Sequence, residues 1–174
     1  MPRGLAIVSW CFVGLVMASF ALGWMLPTQW EVERTRTMWA DPVTVWASVG
    51  DLGAWPEFSP WMGEGMTWEV EGDRDRTVVR FDGAGGPGEL HVTAYEPRRR
   101  LAYAVRYPGS EPMLGEIELV DDDGLTEVTW RDGASLGAYP SARITGPVMR
   151  VVVGRQLHTA LKRLSSRAEA AEEG

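Results

Sequence analysis

Six short segments between residues 66 and 130 alternate apolar with polar residues, and turns rich in glycine, aspartate or proline separate them. Strands with one buried face show this alternation, because successive side chains point to opposite faces of a sheet. The segment "LAYAVRY" at residues 101–107 is an example. A spacing of about ten residues is typical of strands joined by hairpins. The sequence therefore predicts an antiparallel meander at the centre of the fold.

Elements on both sides of the meander complete the predicted order. Residues 30–39, "WEVERTRTMW", read as a further strand, which makes seven. A short helix follows, with Asp41 as its N-cap, Pro42 at its first position and Gly50 at its end. A long helix that opens at Pro147 closes the chain. Its apolar residues recur at steps of three and four and form one stripe: Met149, Val153, Leu157, Ala160, Leu161, Leu164 and Ala168.

A seven-stranded sheet with one apolar face needs a cover, and the long helix is the available element. One helix covers only a stripe of such a sheet, so the remaining inner face must collapse or enclose a cavity. The segment "DLGAWPEFSPWM" at residues 51–62 is rich in aromatic residues and is broken by two prolines. It can close one end of the sheet. These elements predict one α+β domain at residues 28–174.

Residues 5–26, "LAIVSWCFVGLVMASFALGWML", carry no charge and predict a single transmembrane helix in an N-terminal anchor, residues 1–27. A cleavable signal peptide is the alternative, with Ser19-Phe20-Ala21 as its cleavage site. Cleavage there would leave an apolar N-terminus, so we expect the anchor. Two arginines, Arg34 and Arg36, follow the stretch, whereas Arg3 and the amino terminus precede it. We therefore expect a single-pass membrane protein whose domain lies outside the cytoplasm.

The charge balance excludes several classes of partner. Of 17 basic residues only Arg3 precedes the apolar stretch, whereas all 24 acidic residues follow it. An acidic domain does not fit the phosphate backbone of a nucleic acid. Its net charge also argues against attachment through anionic lipids. One cysteine and two histidines leave no disulfide framework and little for a metal site, so we predict no metal and no cofactor.

Four stretches of the chain, in order, resemble a known family. They are "MWADPVTVWASVGDLGAWPEFSPW", "GPGELHVTAYEPRRRLAYAVRY", "DDDGLTEVTWRDG" and "GRQLHTALKRLSSRAE". Together they resemble the START-related SRPBCC superfamily, in particular its polyketide cyclase/dehydrase-like branch. The resemblance spans residues 30–170. It implies a helix-grip (START/Bet v 1-like) fold, in which a seven-stranded antiparallel sheet wraps a long C-terminal helix.

Strand parity and the resemblance together predict where a ligand would lie. We expect the inward-facing residues to line a ligand pocket, and a slip of one residue would invert every such assignment. The predicted lining is Trp68, Phe81, Val92, Tyr103, Val105, Trp130, Met149 and Val153. In the family the broken aromatic segment shapes the mouth of the cavity, which implies Phe58 and Trp61 as residues of the pocket rim.

The sequence shows no catalytic constellation, so whether the protein is an enzyme stays open. The polar residues assigned to apolar faces are Tyr103, Tyr107, Trp130 and Tyr139. Tyrosine hydroxyls and an indole N–H can orient a ligand, but tyrosine is a poor general base near neutral pH. His91 is out of phase with its apolar neighbours, and we expect it at the surface of its strand. His158 follows Leu157 at the edge of the helix stripe, and we expect it to be partly exposed.

Three functions remain as hypotheses. The first is a membrane-anchored binding module whose apolar cavity accepts a lipid, a quinone or another polycyclic small molecule. The second is an enzyme of the cyclase/dehydrase type that promotes ring closure by orienting its substrate. The third is a collapsed cavity in a domain that binds other proteins. The sequence does not indicate the oligomeric state.

Overall fold

The computed structural model describes residues 3–59, 65–83, 85–137 and 139–172. Within these residues the elements follow the predicted order. The helices are α1 (Arg3–Met25), α2 (Pro42–Val49), α3 (Trp55–Phe58), α4 (Pro140–Arg143) and α5 (Thr145–Glu172). The strands are β1 (Gln29–Met38), β2 (Thr67–Glu71), β3 (Val78–Gly83), β4 (Gly86–Glu96), β5 (Arg100–Arg106), β6 (Met113–Asp122) and β7 (Leu125–Ser135). The short helix α4 and the 3-10 turn at Arg74–Arg76 are additions to the predicted elements, and a 3-10 turn at Leu52–Ala54 leads directly into α3.

The strands of the described residues form one seven-stranded sheet in the order β1-β7-β6-β5-β4-β3-β2. Every neighbouring pair is antiparallel. Strands β2 to β7 are a meander, and β1 returns beside β7, so the first and last strands of the domain are neighbours. Helix α5 packs against β1 and beside α2. The predicted α+β helix-grip fold is confirmed.

Helix α5 supplies one wall of the core. The predicted apolar stripe is buried over most of its length, from Val153 to Ala168, and Met149 is half-buried at the N-terminal end of the stripe. Helix α5 also begins two residues before Pro147. The burial follows from the period of 3.6 residues, which keeps the stripe on one side of the helix.

The described part of the broken aromatic segment, residues 51–59, contributes Leu52, Trp55 and Phe58 to the core. Trp55 is fully buried and Phe58 is 1% exposed. The indole Nε1 of Trp55 donates a 3.0 Å hydrogen bond to the carbonyl of Val49, at the end of α2. Asp51 accepts a 2.9 Å hydrogen bond from the backbone N–H of Gly53 and so caps the 3-10 turn at Leu52–Ala54. Residues 52–58 therefore fold as two tight turns that place the rings of Trp55 and Phe58 inward.

Helix α2 has the predicted N-cap. The carboxylate of Asp41 accepts hydrogen bonds from the backbone N–H groups of Val43 at 2.7 Å and Thr44 at 3.3 Å. Pro42 occupies the first turn and Gly50 ends the helix. Two of the N–H groups that a helix N-terminus leaves without partners are thus satisfied.

Replacing Asp41 with alanine is expected to lower the free energy of unfolding by about 1 kcal/mol, because both cap hydrogen bonds are lost. Asp41→Ser should retain most of that energy, since a serine hydroxyl also accepts at an N-cap. Urea unfolding followed by circular dichroism measures the difference. Asp75→Ala, at an exposed turn residue, is the control and should change stability by less than about 0.5 kcal/mol. An equal loss in both alanine variants would contradict the capping role.

Helix α1 covers most of the uncharged stretch at residues 5–26. Within the described residues, the structure contains no helix with both the length and the apolar character needed to cross a membrane. The prediction of a transmembrane helix is therefore not supported. The predicted placement of the domain outside the cytoplasm depended on that helix and loses its basis.

The last turn of α1 packs against α4. A Cβ atom at Gly23 would lie 2.7 Å from the carbonyl carbon of Pro140, so the two backbones are in close contact. The guanidinium of Arg143 lies 5.5 Å from the ring centroid of Trp24, within the range of a cation–π interaction. The sequence pattern predicts neither contact, because α4 is only four residues long.

Candidate functional site

The eight predicted pocket residues belong to one hydrophobic cluster between the sheet and α5. Six of them are buried, and Trp68 and Met149 are partly buried and pack against the others. Strand parity had placed these residues on one face, and their shared burial agrees with that assignment. Whether a ligand lies against them stays a prediction.

Four aromatic residues form the centre of this interior, and we call them the aromatic cluster: Trp55, Phe58, Tyr103 and Trp130. The ring centroid of Trp55 lies 5.3 Å from that of Tyr103 and 5.6 Å from that of Trp130, in edge-to-face geometry. The Phe58 ring lies 6.4 Å from Trp130. Edge-to-face contacts at these distances are favourable for aromatic rings. The aromatic cluster therefore packs as one group in the space between the sheet and α5.

A buried carboxyl group adjoins the aromatic cluster. Asp132 is 2% exposed, and its Oδ1 accepts a 2.7 Å hydrogen bond from the hydroxyl of Tyr103. That hydroxyl accepts a 2.9 Å hydrogen bond from Nε1 of Trp130. A continuous chain of polar groups thus runs from the indole through the phenol to the carboxyl group. We call these three residues the polar relay.

The strands position the polar relay by register. On β7, Thr126, Val128, Trp130 and Asp132 alternate with exposed or half-buried residues, so all four point inward. Gly115 on β6 lies opposite Tyr103 on β5 and also opposite Asp132 on β7. A Cβ atom at Gly115 would overlap both the Tyr103 ring and the Asp132 carboxyl. The absence of a side chain at position 115 therefore makes the hydrogen bond between them sterically possible.

Burial changes the acid–base properties of the polar relay. Burial raises the pKa of the Asp132 carboxyl to about 7, although the hydrogen bond from Tyr103 opposes the rise. Burial, and then the negative charge of Asp132, raise the pKa of the Tyr103 hydroxyl well above its usual range. Tyr103 is therefore a neutral donor, whereas Asp132 can bind or release a proton near neutral pH. A carboxyl group with that property in an apolar setting can act as a general acid or base.

Asp132 is not among the residues predicted for the site, although the strand pattern indicates its position. Asp132 lies two residues after Trp130, and the alternation along β7 places both on one face. Charged residues are seldom buried without a partner, and the partner here, Tyr103, is 29 positions away in the chain. The alternation of inward and outward residues along β7 includes the charged residues, and it places Asp132 on the inward face.

Two surface depressions touch the predicted residues. One of about 660 Å³ lies along β1, β5, β6 and β7, and Tyr103, Asp132 and Gly115 are among its lining residues. No residue of α5 contributes to it, so this depression lies at the sheet and not between the sheet and α5. A smaller one of about 410 Å³ is lined by Phe81 and Tyr107.

The remaining polar candidates lie outside the interior. His91 is half-buried on the other side of β4, with its Nε2 3.0 Å from a carboxylate oxygen of Glu89. His158 is exposed on α5, and Tyr139 is 77% exposed. Tyr107, also predicted to face inward, is 39% exposed and packs edge-on against Phe81 at 5.6 Å. In the part of the chain that the structure describes, no group of three metal-ligating side chains comes together.

Of the two predicted rim residues, only Phe58 lies in the described part of the chain. Phe58 is buried in the aromatic cluster and contacts Trp55 and Trp130. Whether Phe58 borders the mouth of a ligand cavity stays a prediction. Trp61 lies outside the described residues.

Solved structures share this fold at low sequence identity. The Zhui aromatase/cyclase from Streptomyces sp. R1128 is 22% identical and superposes with a TM-score of 0.63, over 81% of this chain and 94% of that one. The di-domain aromatase/cyclase StfQ of the steffimycin biosynthetic pathway is 14% identical, with a TM-score of 0.67 over 84% of this chain and 53% of that one. The hypothetical protein jhp0584 from Helicobacter pylori is 13% identical, with a TM-score of 0.64 over 79% of this chain and 87% of that one. At these identities the likeness shows the fold alone.

A comparison with protein families identifies the family of the chain, whereas the solved structures show only its fold. No curated protein matches the chain significantly. The sequence model of one family, described as "Polyketide cyclase / dehydrase and lipid transport", matches residues 29–169. The match starts at the first residue of β1 and ends in the last turns of α5, so it covers the whole sheet and its helix. The chain belongs to the polyketide cyclase/dehydrase and lipid transport family.

Proposed function

We propose that the protein binds a hydrophobic small molecule between the sheet and α5, with the polar relay as its polar contact. One observation carries the proposal: a hydrogen-bonded phenol and carboxyl group are buried in an interior that is otherwise lined by aromatic and aliphatic side chains. Binding sites of this kind combine an apolar lining with a few polar groups that fix the ligand's orientation. The family description, which names both cyclases and lipid transport, supports the same class of ligand.

The polar relay restricts the chemistry of the ligand. A protonated Asp132 can donate to a carbonyl oxygen, and an ionised Asp132 can accept from a hydroxyl group. Because its pKa is raised to about 7, both forms are populated near neutral pH. A lipid, quinone or polycyclic compound with a carbonyl or hydroxyl group on an apolar body fits this arrangement.

Admission of such a ligand requires the aromatic cluster to rearrange. Trp55 and Phe58 are buried against Trp130, and close-packed interiors leave no room for an added molecule. Trp55 and Phe58 are the first and last residues of α3, which is only four residues long. Helix α3 is therefore the element that moves when a ligand enters, and Phe58 contacts the ligand.

The second candidate function is catalysis of the cyclase/dehydrase type. The raised pKa of Asp132 favours it, because a general acid or base is most effective when its pKa lies near the working pH. In this reaction Asp132 transfers a proton to or from the bound substrate, while Tyr103 holds the carboxyl group in place. The fold shared with two aromatase/cyclases is consistent with the proposal.

Native mass spectrometry of the full chain, released from detergent and followed by solvent extraction, tests the binding proposal. We expect a co-purified hydrophobic molecule at near-stoichiometric occupancy. Asp132→Asn and Tyr103→Phe should lower its occupancy about tenfold, since one hydrogen bond to a charged or buried group is worth about 1.5 kcal/mol. Tyr107→Phe and Asp121→Asn, at exposed positions, should not. An empty chain under all conditions would contradict ligand binding and favour the protein-interaction alternative.

Single-turnover assays with a linear poly-β-ketone test the catalytic proposal separately. At a substrate concentration that saturates both the parent and the variant, Asp132→Asn should slow cyclisation by about 10²- to 10⁴-fold, the usual contribution of general acid–base catalysis. Unchanged turnover in Asp132→Asn would contradict the catalytic role and leave the binding role intact.

A further inference from the structure

Helix α5 exposes apolar side chains at its N-terminal end, on the side away from the core. Val148 is 60% exposed, Val151 is 53% exposed and Val152 is 44% exposed. Their spacing of three and four residues places them on one side of the helix. Ile144 and Tyr139, which precede α5, are also exposed. We call these five residues the apolar patch.

Arginines flank the apolar patch. Arg34, Arg150 and Arg155 line a depression of about 440 Å³ between β1 and α5, together with Val151. The guanidinium of Arg34 lies across the helix at Gly154, where a Cβ atom would be 2.5 Å from its Nη2. Two glutamates also line this depression. Glu33 forms an ion pair with Arg131 on β7, and Glu31 is the other carboxylate near the three arginines.

These arginines are available to an external anion. In the described residues, the ion pairs to carboxylates are made by other arginines: Arg74, Arg80, Arg99, Arg100, Arg131 and Arg167. The side chain of Arg34 donates to the backbone carbonyl of Glu33, which leaves its positive charge uncompensated. A concentration of unpaired guanidinium groups is unusual in a chain with a net charge of −7.

The apolar patch continues onto α1. Phe20, Trp24 and Met25 at the end of α1 are each more than half exposed. Trp24 contacts Arg143 in α4, and α4 lies between Tyr139 and Ile144 of the apolar patch. The exposed apolar surface therefore extends from α1 through α4 to the first turns of α5.

We propose that this surface docks onto the face of a lipid bilayer that contains anionic phospholipids. The valines and Trp24 enter the boundary between headgroups and acyl chains, and Arg34, Arg150 and Arg155 bind lipid phosphates. The net negative charge of the chain does not prevent this, because charges more than about 8–10 Å away are screened at physiological salt. Only the local charge acts on the headgroups, and here it is positive. The protein lies on the bilayer through this surface, and the inference is independent of the proposed ligand site.

An environment-sensitive fluorophore at position 152 tests the proposal in the full chain. Cys11→Ser removes the natural cysteine, and Val152→Cys carries the label. We expect a blue shift of its emission when vesicles of phosphatidylcholine and phosphatidylglycerol are added. The same label at Glu127→Cys, an exposed position toward the other end of β7, should not shift. The paired positions separate docking of this surface from attachment by α1 alone, which would leave both labels in water.

Charge reversal tests the arginines. Arg150→Glu combined with Arg155→Glu should raise the lipid concentration for half-maximal shift at least tenfold and remove its dependence on phosphatidylglycerol. Arg98→Glu combined with Arg99→Glu makes the same change in charge at the β4–β5 turn and is the matched control. Circular dichroism verifies that both variants fold. No shift at position 152, or an equal loss in the control, would overturn the proposal. So would a shift without vesicles that grows with protein concentration, which would assign the surface to a second copy of the chain.

Discussion

Replacing Gly115 with alanine is expected to lower the free energy of unfolding by about 3 to 5 kcal/mol. The added methyl group would overlap the Tyr103 ring and the Asp132 carboxyl, both nearly fully buried. Overpacking of a close-packed core costs about 1–3 kcal/mol, and a buried polar group that loses its hydrogen bond costs a similar amount. Both costs apply here, because Tyr103 cannot move away from the methyl group and stay in contact with Asp132.

Urea unfolding of the full chain measures this effect, with Gly85→Ala as the matched control. A Cβ atom at Gly85 would lie 3.8 Å from the Tyr107 ring, an ordinary contact, so that variant should change stability by less than about 1 kcal/mol. Tyr103→Leu should reduce the cost of Gly115→Ala by about half, since the shorter side chain leaves room for the methyl group. Equal costs of Gly115→Ala in the two backgrounds would show that the overlap with Tyr103 is not the cause.

The sheet and α5 could be predicted because each has a periodic pattern that tertiary structure reinforces. The strand that contains Tyr103 alternates over seven residues, and a register slip would expose its whole apolar face. The stripe from Val153 to Ala168 likewise has only one side on which it can be buried. In both cases, local sequence and global packing favour the same structure.

The details of the site were harder to predict because they depend on contacts between distant residues. Gly115 carries no pattern signal, yet its lack of a side chain permits the hydrogen bond between Tyr103 and Asp132. The burial of Trp55 and Phe58 depends on how the 3-10 turn at Leu52–Ala54 orients α3. The packing of α1 on α4 could not be read from periodicity, since α4 is a single turn. The hydrophobicity of residues 5–26 alone predicted a membrane span that the structure does not support.

The stability of the protein is expected to fall as pH rises from about 4 to about 7, through the ionisation of Asp132. Burial raises the pKa of this carboxyl in the folded state to about 7, from 3.8 in the unfolded chain. Between these values the folded protein holds a proton that the unfolded chain releases, so a higher pH favours unfolding. A difference of about three pKa units corresponds to on the order of 4 kcal/mol. The contribution is fully present below pH 4 and is lost above pH 7.

Comparison with Asp132→Asn isolates this contribution from the titration of surface carboxylates. The asparagine is uncharged at every pH and can accept the hydrogen bond of Tyr103, so the variant should match the parent below about pH 4 and exceed its stability increasingly from there to pH 8. Urea unfolding at half-unit pH steps gives the difference directly. Tyr103→Phe should shift the midpoint of that difference to higher pH, because the hydrogen bond from Tyr103 lowers the pKa of Asp132. A constant difference between the parent and Asp132→Asn from pH 4 to pH 8 would show that Asp132 titrates at its ordinary pKa. Asp132 could not then act as a general acid near neutral pH.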